Sequence, residues 1–226
     1  MRTRLAALLM LIAAVAAGGP ARAQEAVTDQ TRLVARAVDA VERLRSDPHL
    51  QRMITDKLAH ARAVLVVPDL VKGGFLFGAE YGTGILLARN ARGRWSGPAF
   101  YSVASGSFGL QIGLEDAETL YVIMSDGGLS AIMNNRMKLG ADAGIAVATI
   151  GAGASASTTT NVGADIYAFN DALGVYGGVS LEGSAILPRD SWNAAYYGGN
   201  PIPADIVLSD RVDSRQADRL RDVLAR

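Results

Sequence analysis

The chain contains no cysteine. That excludes disulfides, thiolate metal ligands, cysteine nucleophiles and a lipid-modified N-terminal cysteine. Histidine occurs only at His49 and His60, both in helical stretches and neither with a metal-ligating neighbour at useful spacing. They read as helix-surface residues, and no metal or cofactor is expected. Aromatic residues make up 6% of the chain, too few for the two girdles of an outer-membrane barrel. Neither sign of charge is in excess, with 22 basic and 22 acidic residues. Nonspecific nucleic-acid binding rests on a basic surface that neutralises phosphates, so it is not expected. There is no Gly-x-Ser-x-Gly elbow and no P-loop. Gly82-x-Gly84 and Gly151-x-Gly153 lack the third glycine of a dinucleotide fingerprint.

What is present begins with a processing signal. Arg2 and Arg4 precede an apolar run over residues 5–17, too short to span a bilayer, and Ala21-Arg22-Ala23 has the A-x-A form of a cleavage site. The expectation is a signal peptide over residues 1–23 and a periplasmic or secreted protein that is not a lipoprotein. Without Arg2, Arg4 and Arg22 the remaining chain carries 19 basic against 22 acidic residues. Its roughly 200 residues suit one sizeable core, so residues 24–226 are expected to form a single domain.

Hydrophobic periodicity predicts helices at both ends. In residues 28–46, Leu33, Val34, Ala37, Val38, Val41 and Leu44 share one face, with Arg32, Arg36 and Arg43 opposite. Pro48 opens a second helix that reaches about His60. Residues 63–67 form a strand that Pro68 is expected to stop. Residues 75–87 alternate with period two, and Gly78, Gly82 and Gly84 leave one face nearly bare, for close backbone approach or sharp coiling. Arg92-Gly93 makes a hairpin turn. Residues 100–113 and 119–125 follow as strands joined by an acidic turn at 114–118. Asp126 caps a short helix to Asn134. Residues 139–150 alternate again, 151–161 read as a loop, and 163–169 with 174–187 form a last β pair. Residues 189–197 form a short helix. Ser209 caps a final helix with Val212, Leu220, Val223 and Leu224 inward, and Arg211, Arg215 and Arg219 along one face. Connections are too short for repeated βαβ crossovers. The fold class is therefore α+β, with a strongly curved, mainly antiparallel sheet or a partly closed barrel and helices at both termini.

Catalytic chemistry has one weak candidate. Glu80, Asp142, Asp165 and Glu182 would form an acid/base group only if they converged in a pocket; otherwise they cap edges or pair with Arg89 or Lys138. No enzymatic activity is expected. The cations Lys72, Arg89, Arg92, Arg94, Arg136 and Lys138 fall at strand ends or turns. They are either solvated loop charges or a rim for phosphate groups. Trp95, beside Arg94 and Gly97-Pro98, is either an interfacial anchor or a core aromatic under a turn.

Several ordered segments then carry a resemblance: KGGFLFGAEYGTGILLAR, GRWSGPAFY, GSFGLQIG, MKLGADAGIAVA, IYAFNDALGVYGGVSLEGSAI and AYYGG. Together they resemble the SYLF lipid-binding domain, from about Leu33 to Leu208. The resemblance implies phospholipid binding. Eukaryotic members bind phosphoinositides, some bind actin, and bacterial members are exported envelope proteins. Lys72, Arg89, Arg136 and Lys138 match the family's basic motif positions. Where relatives often read Gly-Pro-Val-Gly-Arg, this chain has Ala148 to Ala152 and one cation fewer. The expected function is non-enzymatic binding of anionic, phosphoinositide-like phospholipid head groups or a membrane surface through Lys72, Arg89, Arg94, Trp95, Arg136 and Lys138. The alternative is a scaffold that binds a protein or cell-wall partner in the envelope.

Overall fold

The computed structural model describes residues 28–74, 77–108, 113–134, 147–151, 164–170, 185–209 and 212–226. The expected signal peptide lies outside them, as do most of the loop expected at 151–161 and the strand segments at 139–146 and 174–184.

Helix α1 (Asp29–Ser46) starts where the Thr28 side chain accepts the Thr31 N–H, and its predicted apolar face is buried. Helix α2 (Gln51–His60) follows. Among the described residues seven strands then form one sheet: β1 (Ala63–Gly74), β2 (Phe77–Ala88), β3 (Ala99–Phe108), β4 (Gly113–Ile123), β5 (Val147–Gly151), β6 (Ile166–Asn170) and β7 (Ala185–Pro188). Their spatial order is β5-β6-β4-β1-β2-β3-β7. Every pairing is antiparallel except β5 with β6. Since β5 and β7 stand at opposite edges, the sheet is open, so the α+β class holds and the barrel alternative does not.

Both faces of the central strands are covered. On one side α1, α2 and helix α6 (Asp218–Ala225) pack on Val64, Val66, Ile85, Leu87, Phe100, Leu120 and Val122. On the other, Leu65, Val67, Leu86, Tyr101 and Tyr121 meet helices α3 (Asp126–Met133) and α5 (Pro203–Val207). Helix α4 (Asp190–Tyr197) docks on β3, where the Asn193 side-chain oxygen accepts the Phe100 N–H at 2.8 Å. Two-sided burial explains why β1 opens with five apolar residues in a row rather than an alternation.

Several expectations are corrected. Pro68 does not end β1. It sits where the register shifts between Val67 and Leu70, a bulge that tolerates a residue without an N–H. The bulge leaves Asp69 exposed, and the Arg36 guanidinium of α1 meets its carboxylate at 2.8 Å. Residues 114–118 are not a turn but part of β4, where Glu118 pairs with Arg43 of α1 and Ala117 sits opposite Leu70. A tertiary ion pair there outweighs the low strand propensity of acidic residues. Residues 166–170 and 185–188 do not pair with each other. They flank opposite ends of the sheet, on β4 and β3. Ser125, not Asp126, caps α3, its hydroxyl accepting the Gly128 N–H. Ser209 caps nothing in the last helix; Ser214 opens a single 3-10 turn (Arg215–Ala217) ahead of α6. Helix α5 has no counterpart in the sequence reading.

The bare face of β2 is a packing device at two positions. A Cβ on Gly82 would lie 2.7 Å from Val67 Cγ1 and 2.9 Å from the Asp69 carbonyl oxygen, and one on Gly84 2.9 Å from Leu65 Cδ1. No ligand groove runs over Gly82 and Gly84, because β1 side chains fill the space. Gly82→Ala should therefore destabilise the fold by about 1–3 kcal/mol through overpacking. Val67→Ala in the same chain should return part of that loss, measured by urea unfolding; additive losses would refute the contact.

Candidate functional site

The β2–β3 connection is built from the turn upward. Gly93 takes φ +73°, which glycine adopts without strain, and the Asn90 side-chain oxygen accepts the N–H groups of Arg92 and Arg94. Arg89 and Trp95 close the turn as an isolated antiparallel bridge. The Arg89 guanidinium lies 4.4 Å over the Trp95 ring. It donates from Nη1 to the Gly93 carbonyl at 2.7 Å and from Nη2 to the Leu58 carbonyl of α2 at 3.2 Å. Its own carbonyl accepts from Arg62. Arg89 thus ties the turn to α2, and Trp95, 6% exposed, is a core aromatic under that turn. The Arg89 Nε and Trp95 Nε1 atoms are buried with no hydrogen-bond partner.

The C-terminal segment supplies the opposite wall. Arg221 of α6, its side chain 16% exposed, donates from Nε to the Ser96 carbonyl at 3.0 Å and from Nη1 to Asp218 at 2.7 Å. Its Nη2 pairs with Asp213. Between the walls lies an open cleft of about 470 Å³, lined by Arg89, Arg94, Trp95, Asp213, Asp218, Arg221 and Asp222 among others. Three guanidiniums therefore face three carboxylates. Burial acts to raise the Asp213 carboxyl, but the Ser214 N–H and the charges of Arg221 and Arg94 outweigh it and hold it below its ordinary value. Arg94 is exposed, and among the described residues its side chain makes no hydrogen bond or ion pair.

The structure thus brings together three of the six site residues expected from sequence: Arg89, Arg94 and Trp95. Lys72 is not with them. It pairs in register with Glu80, whereas Arg89 follows the Ala63–Ala88 pair at the other end of β1. Nine residues of strand separate the two ends, roughly 30 Å. A continuous rim through Lys72 and Arg89 is therefore not formed. Arg136 and Lys138 lie outside the described residues. Sequence reasoning missed Arg221 and its carboxylates, fixing instead on Arg211, Arg215 and Arg219. The usable signal was the position of Arg221 beside inward-facing Leu220 and three residues after Asp218, an i,i+3 ion pair on a helix.

The carboxylate candidates do not converge where they are described. Glu80 lies at the Lys72 end of the sheet, while the Asp165 carbonyl accepts the Met124 N–H at the opposite end, beside Arg62. Asp142 and Glu182 lie outside the described residues. Among the described residues no group of three or more metal-ligating side chains is placed to hold an ion, and no helix is long and apolar enough to cross a membrane.

Comparison with known proteins adds the lineage. A family model, Ysc84, described as Las17-binding protein actin regulator, matches residues 104–226. The chain is 29% identical over 160 residues to LAS seventeen-binding protein 3 of Saccharomyces cerevisiae, covering 70% of this chain and 34% of that protein. It is 28% identical over 175 residues to SH3 domain-containing YSC84-like protein 1 of Homo sapiens, covering 75% and 51%. It is 30% identical over 151 residues to Protein YSC84 of Saccharomyces cerevisiae, covering 66% and 32%. The chain spans about a third to a half of the length of these relatives. LAS seventeen-binding protein 3 is named for binding, and none of the three is named as an enzyme.

Two predictions test the cleft walls. Arg89→Ala removes two hydrogen bonds to carbonyls and a stacked cation, so it should cost about 2–4 kcal/mol, read as a lower thermal midpoint. The depressed Asp213 carboxyl favours its charged form in the folded state. Its contribution is therefore present above the ordinary carboxylate range and lost as pH falls through the lowered value. Carboxyl titration by NMR should show Asp213 moving up toward its ordinary value in Arg221→Gln; an unmoved titration would disprove the clamp.

Proposed function

This chain belongs to the Ysc84, or SYLF, family, and we propose that it is a non-enzymatic envelope protein that binds phospholipid head groups by their phosphate. The observation that carries this reading is the meeting of Arg89, Arg94 and Arg221 on one 470 Å³ cleft, of a size typical of small-molecule sites. Two of these guanidiniums have fixed tasks. Arg89 holds the turn and Arg221 holds Asp213 and Asp218. Arg94 is left to meet a ligand, and a guanidinium suits a phosphate through paired N–H donors. Trp95 contributes as the buried support of Arg89 rather than by inserting into a membrane. The signal-like residues 1–23 support placement in the periplasm or outside the cell.

A second reading has its own observation. Val71 and Tyr81, 41% and 54% exposed, sit opposite each other on β1 and β2, on the sheet face that α1 covers farther along. Leu187 on β7 is exposed on that same face, opposite Ser102 and Thr83. This apolar strip suits a protein or cell-wall partner and a scaffolding role.

Vesicle co-sedimentation distinguishes the two. With vesicles of mixed bacterial phospholipids, Arg94→Glu should lower retention roughly tenfold or more, the scale of one lost hydrogen bond to a charged group, ~1.5–3 kcal/mol. Tyr81→Ser should leave it unchanged. Loss with Tyr81→Ser and not with Arg94→Glu would move the contact to the apolar strip, and no retention of the unaltered protein would refute lipid binding.

A further inference from the structure

From the charge layout of the cleft we infer that its ligand is a zwitterionic head group of the phosphoethanolamine kind, not an anionic one. The inference rests on the phospholipid reading above and narrows it.

Among the described residues that line it, the cleft is electrically balanced. Arg89, Arg94 and Arg221 are matched by Asp213, Asp218 and Asp222. An anionic head group would bring net negative charge to described side chains whose charges already cancel, beside carboxylates that repel it. The balance is also unevenly committed. Arg221 lies between Asp213 and Asp218 and spends its Nη donors on them and on the Ser214 carbonyl, with Nε on the Ser96 carbonyl. That closed group leaves two side chains at the surface. Arg94 projects from the turn and Asp222 from α6; both are exposed, and neither side chain makes a hydrogen bond or ion pair among the described residues, although the Arg94 charge reaches Asp213. They offer one open cation and one open carboxylate on the two walls of a single cleft. A phosphate takes the guanidinium and an ammonium takes the carboxylate, each as a charge-assisted hydrogen bond.

The same geometry selects a primary ammonium over a quaternary one. A trimethylammonium group has no N–H to donate and is recognised by open aromatic faces. Among the described residues of the cleft lining Trp95 is the aromatic one, and the Arg89 guanidinium already covers its ring. A carboxylate with free lone pairs instead suits the three donors of a primary ammonium.

The test uses the full protein with vesicles of phosphatidylcholine alone, or mixed with phosphatidylethanolamine or with phosphatidylglycerol. Retention should be several-fold higher on the phosphatidylethanolamine vesicles than on either of the others. Millimolar soluble phosphoethanolamine should displace the protein, and phosphocholine should not. Asp222→Lys should shift the preference to phosphatidylglycerol, and Asp222→Asn should reduce the phosphatidylethanolamine preference without creating the new one. Stronger retention on phosphatidylglycerol by the unaltered protein would overturn the inference while leaving phospholipid binding standing. Retention that soluble phosphoethanolamine fails to displace would also overturn it, since the vesicle surface and not the head group would be recognised. No retention on any of the three would remove the phospholipid reading itself.

Discussion

The central constraint is the burial of β1 on both faces from Ala63 to Leu70, interrupted only where the bulge at Pro68 turns Asp69 outward. A strand in that position needs neighbours that come close on one side and helices that cover the other. Gly82 and Gly84 supply the first by leaving room for Val67 and Leu65. Helix α1 supplies the second, and the Arg36–Asp69 and Arg43–Glu118 pairs fix it across β1 and β4. These pairs are solvent-exposed on at least one side, so their value is orientation more than energy. The apolar face of α1 and the methyl groups of β1 carry the stability.

The cleft follows from this frame. With β1 and β2 in fixed register, Arg89 and the turn after it emerge at one end of the sheet, next to the C-terminus of α2. Helix α6 packs on the α1 face through Leu220, Val223 and Leu224, and Arg221 lies at the border of that apolar stripe. It therefore reaches Ser96, Ser214 and two carboxylates at once. Hydrogen bonds within each wall, and from Arg221 to Ser96 between them, occupy Arg89 and Arg221 and leave the side chains at the rims, Arg94 and Asp222, open to a ligand.

Much of the fold was legible because it follows local rules. The apolar face of α1, the period-two run of β2 and the Gly93 turn are all short-range patterns. The errors came where a distant contact overrode a local preference. Residues 114–118 look like a turn because acidic residues avoid strands, yet Glu118 has Arg43 to meet. Pro68 looks like a stop, yet the bulge needs no donor there. The pairing partners of β6 and β7 could not be read, because adjacency along the chain favours a hairpin and the sheet places them on opposite sides. Arg89, Arg94 and Trp95 fall together on one cleft because they share one turn.

By itself the sequence determined the α+β class, the family, the helix faces and the absence of thiol chemistry, since composition, periodicity and motif order are properties of the chain alone. Only the tertiary structure decided which cations share a surface. Lys72 and Arg89 are 17 positions apart in the chain and stand at opposite ends of a strand pair. Arg94 and Asp222, far apart in sequence, line one cleft because α6 folds back beside the β2–β3 turn. Charge recognition depends on distance in space, and the antiparallel register and helix packing that set those distances are long-range contacts.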